Sequence, residues 1–294
     1  MPPGSAPLFA HLDADRAHIY SLVLASAGIP HSIHFIGSRW RIHVATERRA
    51  QAQRAIALYL LENPTEIKTP AIAYPPNVRS FSAVFAAAIP AIVHWAIGFS
   101  NFSQQAFIAS FGADARKIMD GEFYRCVTAL LLHGDGSHLL ANMAGMLLFG
   151  TYAALLYGWG IGWLLIVLSG TFGNFLTAWW YGHSHMAVGA STAVFGALGL
   201  CAAMTFWRRR TDRNGRLRPW VPLAGALALV GWLGTSPRAD LLAHLLGFGC
   251  GLVLGSAHVR FMNRVVPWPY QAGALAIVAA MVSGSWLWGL YYSA

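Results

Sequence analysis

Long stretches without charged residues alternate with short polar segments along most of this chain. No Asp, Glu, Lys or Arg occurs between residues 136 and 207, and shorter charge-free windows lie before and after it. A helix needs about 20 apolar residues to cross the hydrocarbon of a bilayer, and these windows have room for seven such helices. The predicted spans are 81–103, 138–157, 160–181, 190–207, 219–235, 241–258 and 269–292.

The N-terminal region has a different pattern, because residues 1–79 contain 13 of the 31 charged side chains. Short runs of apolar and β-branched residues predict strands in "PLFAHL", "HSIHFIG" and "RWRIHVA", and the Gly37-Ser38 turn joins the last two as a hairpin. Helices are predicted at 14–27 and 47–61. We therefore expect a small soluble α+β domain over 1–69, a Pro-rich linker over 70–80 and a membrane domain over 81–294.

Composition and charge placement agree with a membrane protein. Hydrophobic residues make up 56% of the chain and charged residues 11%, which is too little charge to coat a soluble protein of 294 residues. Six arginines lie between the fourth and fifth spans, and Arg260 and Arg264 follow the sixth. The positive-inside rule places both loops in the cytoplasm. The net charge of +9 therefore indicates topology in a lipid bilayer and not nucleic-acid binding.

The same rule predicts orientation. Counting spans back from Arg208 puts the N-terminus in the cytoplasm and residues 114–125 outside, as expected for a multi-pass protein of the plasma (inner) membrane. The three cysteines, Cys126, Cys201 and Cys250, lie inside apolar stretches without paired spacing. They predict neither a disulfide nor a metal site, and we expect no cofactor.

Polar side chains inside apolar helices are costly, so each of them raises a functional question. Ser191 and His244 lie 17 and 16 residues before the arginines that end their spans, and Asn142 lies 16 residues before a glycine joint. At about 1.5 Å of rise per residue, all three lie at one depth on three different helices. His138 precedes Asn142 by four residues and shares its face.

A serine and a histidine at matched depth indicate a nucleophile and its general base, with His138 and Asn142 as donors to an oxyanion. His244, Gly247 and Gly251 follow a three-then-four spacing along one helix face. Small residues at that spacing favour close approach of two helices in lipid, which a hydrogen bond between serine and histidine requires.

Other interpretations of these residues stay open. A serine in an apolar helix usually bonds a carbonyl of its own helix, and glycine stripes usually serve packing alone. In "HGDGSH", His133, Asp135 and His138 are candidate metal ligands. No carboxylate lies at the depth of Ser191, however, and the HExxH pattern of zinc proteases is absent from the sequence.

Four motifs, in this order, resemble those of the rhomboid family of intramembrane serine proteases. "GEFYR" is similar to the family's aromatic-Arg motif and contains Arg125, and "HGDGSHLLANM" is similar to its His-x-x-x-Asn helix start. "GASTAVFG" resembles the Gly-x-Ser motif, with Gly189 and Ser191. "AHLLGFGCG" resembles the Ala-His-x-x-Gly-x-x-x-Gly motif, with Gly247 and Gly251.

The resemblance implies a six-helix core to which the seventh span is an addition, and a Ser191–His244 dyad with no third acid. It implies a partly embedded loop over 104–125, tied down by Arg125 through backbone carbonyls. Substrates would be transmembrane proteins cut near the outer face, preferably with residues that destabilise a helix, because helical carbonyls are bonded internally. The implied oxyanion donors are the Ser191 backbone N–H, His138 and Asn142.

Two other functions compete with proteolysis. A proteolytically silent rhomboid-like protein would bind membrane clients, and loss of Ser191 or His244 would have favoured it, but both are present. A transporter would line a pathway through the core with polar groups. Here the ionisable residues gather in the outer part of the predicted spans, which disfavours a transporter.

Overall fold

The chain divides by its internal contacts into two units, Met1–Thr69 and Pro70–Ala294. The Gly37-Ser38 turn and the Pro-rich linker lie outside the residues that the structure describes. The structure is a computed structural model that describes residues 5–36, 39–63, 82–100, 103–183, 185–211, 218, 220–233, 240–262 and 266–293.

The N-terminal unit combines a small antiparallel sheet, of strand order β1-β3-β2, with two helices. Asp13 caps the first helix by accepting a hydrogen bond from the backbone N–H of Arg16 at 2.8 Å. A buried apolar cluster that includes Leu24, Ile42 and Ile56 joins the helices to the sheet. The elements in chain order are β1 (Ser5–Leu12), α1 (Ala14–Ser26), β2 (His31–Ile36), β3 (Arg39–Ala45) and α2 (Arg49–Glu62).

The second unit is helical over most of its described residues. A π-helical turn, Met146–Gly150, joins α7 to α8 as one continuous helix. Its elements are α3 (Ser82–Phe99), α4 (Gln104–Phe111), β4 (Ala113–Asp114), α5 (Ala115–Met119), α6 (Arg125–Thr128), α7 (Gly136–Gly145), α8 (Thr151–Tyr157), α9 (Ile161–Tyr181), β5 (Met186–Ala187), α10 (Ser191–Thr211), α11 (Val221–Leu233), α12 (Leu241–Phe261) and α13 (Trp268–Ser293).

Helix length and hydropathy support a protein with several membrane spans. Among the described residues, five helices are long and apolar enough to cross a membrane, namely α3, the α7–α8 helix, α9, α12 and α13. The other two predicted spans correspond to α10, in which every 18-residue stretch includes Arg208, and to α11, which has 13 described residues. The helical, multi-span architecture is confirmed, whereas the count of seven is not.

Helix α10 lies at the centre of this unit. All of its residues from 192 to 204 are buried. On one side Leu200 packs in a cluster with Leu156 and Ile166, and on another Phe195 packs in a cluster with Val230 of α11. Because α10 is rich in Ala and Gly, several helices approach it closely at once.

The helix ends form two groups, which we call the Ser191 end and the Arg208 end after the two ends of α10. The indole N–H of Trp163 donates to the Ser82 hydroxyl at 2.8 Å, so α3 and α9 both begin at one end. The Tyr157 hydroxyl donates to the Leu200 carbonyl in the middle of α10, and its ring lies 5.1 Å from that of His258 in the last turn of α12, so this is the Arg208 end. Helix α3 therefore runs toward the Ser191 end.

Helix α13 is attached near both of its ends. At the Arg208 end, the Gln271 side-chain oxygen accepts the backbone N–H groups of Gly160 and Ile161 at 2.8 and 2.9 Å. Toward the Ser191 end, the Trp286 ring lies 4.7 Å from that of Phe111 in α4. Only 11% of the apolar window of α13 is buried, compared with 50% for α9. The seventh predicted span thus packs at the edge of the bundle.

Candidate active site

The segment before Ser191 is a broken, strand-like connection. Helix α9 ends at Tyr181, and the Gly182 that follows has a φ of 67°, a left-handed value that favours glycine. Strand β5 then pairs antiparallel with β4, and the Gly189 N–H donates to the Ala129 carbonyl at 2.9 Å. These contacts fix the point at which α10 begins. Ser191 is its first residue, so its N–H is one of the helix-start donors without a partner in the helix.

His138 and Asn142 lie against Gly189. A Cβ on Gly189 would lie 2.7 Å from Nε2 of His138 and 3.5 Å from Nδ2 of Asn142. Gly189 also has a φ of 122°, which L side chains rarely adopt. Only glycine therefore allows both donors to approach the backbone two residues before Ser191. The Asn142 amide also donates to the His138 carbonyl at 3.0 Å, which orients it.

Helices α10 and α12 touch backbone to backbone. A Cβ on Gly247 would overlap the Thr192 carbonyl, and one on Gly251 would overlap the Gly196 carbonyl. Because both residue numbers rise together, the helices run parallel, and the first turn of α10 lies beside Gly247 in the second turn of α12. The glycine spacing in the sequence predicted this close approach.

His244 lies on the side of α12 that faces the start of α10. It is buried, and its ring centroid is 4.4 Å from that of Phe195 with a tilt of 34°. Phe195 follows Ser191 by four residues and therefore lies one turn below it on the same face. The imidazole of His244 is thus brought to the face of α10 that carries the Ser191 side chain.

The "HGDGSH" residues have structural partners. Asp135 caps α7 by accepting the His138 N–H at 2.8 Å. His133 is buried, and its Nε2 accepts the Ala190 N–H at 3.4 Å, while its ring lies 5.2 Å from that of His138. Within the described ranges, no group of three or more His, Cys, Asp or Glu residues is placed to hold a metal ion.

Arg125 ties down the 104–125 loop. Its Nη1 donates to the carbonyls of Ala109 and Gly112, each at 3.0 Å, and its Nε lies 2.6 Å from the Glu122 carboxylate. The Tyr124 hydroxyl donates to the same carboxylate at 2.8 Å. Burial by itself raises the pKa of Glu122, but the hydrogen bonds from Arg125 and Tyr124 outweigh it and hold that pKa below its ordinary value.

Comparison with known proteins identifies the family. A family profile for the Rhomboid domain matches residues 120–261. Residues 120–261 of this chain are a rhomboid domain. The matched rhomboid domain contains all of the candidate residues, which are Arg125, His138, Asn142, Gly189, Ser191, His244, Gly247 and Gly251.

Several curated relatives carry rhomboid names. RHOMBOID-like protein 4 of Arabidopsis thaliana is 35% identical over 147 residues, which are 49% of this chain and 36% of that protein. Rhomboid-like protease 1 of Toxoplasma gondii is 28% identical over 173 residues, 58% of this chain and 59% of that protein. Rhomboid-type serine protease 2 of Emericella nidulans is 29% identical over 147 residues, 49% and 28% respectively. The chain thus spans 28 to 59% of the length of these relatives.

Two side-chain contacts near the ends of helices were missed by sequence reasoning. His185 lies 2.6 Å from Asp240, and Gln271 caps the start of α9. The Asp240-Leu-Leu-Ala243 order before an apolar run is a helix N-cap signal that the sequence already contained. The pairing of His185 with Asp240 had no signal, because 55 residues separate them.

Proposed function

We propose that this rhomboid-family chain is an intramembrane serine protease that hydrolyses peptide bonds of transmembrane substrates. Ser191 is the nucleophile and His244 its general base. The observation that carries this proposal is the contact of the His244 ring with Phe195, one helical turn from Ser191 along the same face. The names of the matched proteases in Toxoplasma gondii and Emericella nidulans support the reaction class.

In the proposed reaction, His244 takes the hydroxyl proton of Ser191 while Oγ attacks a substrate carbonyl. The tetrahedral oxyanion is stabilised by the Ser191 N–H, His138 and Asn142, and the position of the last two against Gly189 supports this role. The positive end of the α10 dipole acts in the same direction. His244 then protonates the leaving amine, and water releases the acyl group by the reverse sequence.

The experiment that tests the proposal uses purified full-length protein and a transmembrane substrate with Gly or Pro near one end of its helix. Ser191→Ala and His244→Ala should each lower kcat by at least about 10⁴-fold. A matched control is Ser283→Ala in α13, whose hydroxyl bonds only the carbonyl four residues earlier. Wild-type cleavage rates in Ser191→Ala would overturn the proposal, and an inactive but client-binding wild type would favour the non-proteolytic alternative.

The proposed oxyanion role has its own readout. Asn142→Ala should lower kcat by about 10²- to 10³-fold with little change in KM, because the amide acts on charge that develops only in the transition state. A change in KM alone would assign Asn142 to substrate binding instead.

We further propose that the Ser191 end faces the outer side of the plasma (inner) membrane and that the N-terminal unit is cytoplasmic. The arginines at positions 208–210, at the far end of α10, support this orientation by the positive-inside rule. Single cysteines placed at residues 5 and 290, in a background without the three native cysteines, should label from opposite sides of a sealed vesicle. Labelling of both from one side would contradict the proposed span count.

A further inference from the structure

A histidine–aspartate pair joins the segment before Ser191 to the start of the His244 helix. Nε2 of His185 lies 2.6 Å from Oδ2 of Asp240, and the two side chains are 23% and 17% exposed. His185 precedes Ser191 by six residues, and Asp240 precedes His244 by four. The contact therefore bridges the two elements that carry the proposed dyad.

Both partners are also held on their other sides. The His185 ring stacks on Tyr181 at the end of α9, with centroids 4.0 Å apart and planes 17° apart, and its carbonyl accepts the Ala115 N–H at 2.9 Å. The second oxygen of Asp240 accepts the Ala243 N–H at 3.0 Å and so caps α12. A bridge fixed at both ends restrains the β5 segment against the first turn of α12.

The surroundings of the pair show why this restraint matters. A cavity of about 520 Å³ lies beside it, lined by Tyr181, His185, Asp240, Leu241, Leu242 and Leu245. Leu241 and Leu245 are also 40% and 42% exposed. The first turn of α12 therefore borders an open cavity here, in contrast to the close glycine contacts with α10 that begin at Gly247. The polar bridge holds the two elements together at the edge of this cavity.

From this geometry we propose that His185 and Asp240 are positioning residues that set the distance between the Ser191 hydroxyl and the His244 ring. The inference rests on the proposed protease function. Ser191 and His244 both lie in the first turn of a helix, where the ends fray. A misplacement of about 1 Å between reacting groups costs on the order of 100-fold in rate. Neither side chain needs to touch the substrate to have this effect.

The test compares His185→Ala, Asp240→Asn and the double variant in the full-length protein. Asn is as good a helix N-cap as Asp, so Asp240→Asn removes the carboxylate partner of His185 while keeping the cap of α12. Each single variant should lower kcat by roughly 10- to 100-fold, with KM for a transmembrane substrate changed by less than about threefold. The double variant should be no worse than either single variant, since one contact is lost in all three.

A second readout excludes a general loss of folding. The rate at which a fluorophosphonate probe labels Ser191 should fall in parallel with kcat, while the Tm of each variant stays within a few degrees of wild type. His185→Gln keeps a donor near Asp240 and should recover most of the activity. The matched control is His183→Ala, an exposed histidine of the same segment, which should leave kcat unchanged.

Three results would overturn the positioning role: unchanged kcat in the single variants, effects that multiply in the double variant, or a loss of activity that only follows Tm. Failure of the protease proposal is separate and visible in the wild type. A wild-type protein in which Ser191 neither reacts with the probe nor cleaves substrate would overturn both.

Discussion

Helices α12 and α13 follow one another in the chain and are attached to the same bundle in opposite ways. Helix α12 meets α10 along its length through glycines: backbone touches backbone at Gly247 and Gly251, and Gly255 leaves room for the Ala203 side chain of α10. Helix α13 buries little of its surface and is held by one glutamine near its start and aromatic rings toward its other end. One attachment is continuous, and the other is made at separate points.

The difference in attachment matches the functional residues on each helix. Backbone contact along α12 restricts its sliding and rotation against α10, which suits the helix that bears the proposed base His244. Point attachment tolerates small movements between the anchors, which is sufficient for a helix outside the matched rhomboid domain. Changes to the α10–α12 contact should therefore affect chemistry, and changes to α13 should affect stability.

The largest effect is expected from Gly251→Ala. Its Cβ would lie 2.8 Å from the Gly196 carbonyl carbon and would overlap the carbonyl oxygen, and no rotamer change relieves a backbone clash. We expect a loss of roughly 1 to 3 kcal/mol in stability, as for other overpacked cores, together with a strong drop in cleavage. Gly249→Ala is the control on the same helix, because nothing lies within 4 Å of its Cβ. Equal Tm values for the two variants would refute continuous contact.

An intermediate effect is expected from Gln271→Leu. This change leaves the N–H groups of Gly160 and Ile161 without their side-chain acceptor, at a cost of about 1 to 2 kcal/mol. The Tm should fall, while kcat of the folded protein should stay close to wild type. Tyr270→Leu, at an exposed neighbouring position, should change neither value. A selective loss of kcat in Gln271→Leu would show that α13 acts on the proposed dyad.

The smallest effect is a pH dependence of the 104–125 loop, against which α13 packs. Burial raises the pKa of Glu122, but the hydrogen bonds from Arg125 and Tyr124 lower it by more. The folded-state pKa therefore lies below the ordinary value of 4.5. Its contribution to stability is therefore present above pH 4.5 and is lost as the pH falls through the lower folded value. Hydrogen exchange in the loop should rise on acidification, whereas exchange in α10 and α12 should not. Glu122→Gln should remove the difference.

How far the sequence predicts these features depends on the distance between partners. The small-residue spacing from His244 to Gly251 predicted that α12 approaches another helix, because close contact in lipid needs small side chains on one face. The sequence likewise predicted that Asp13 caps α1, because the cap and the N–H that it accepts are only three residues apart. Gln271 bonds residues 110 and 111 positions earlier, and no local pattern encodes such a contact. The span count was uncertain for a physical reason, since α10 ends in the arginines that lower its hydropathy.

The Gln271 anchor also has a consequence for the order of events during synthesis. Gly160 leaves the ribosome 111 residues before Gln271, which at about 5 to 20 residues per second is an interval of roughly 6 to 22 s. Throughout that interval the start of α9 has no glutamine acceptor, and its N–H groups must bond water or lipid head groups. The whole rhomboid domain, residues 120–261, is therefore synthesised before Gln271 can bond to Gly160. Insertion of α13 thus supplies the acceptor that the start of α9 lacks until then.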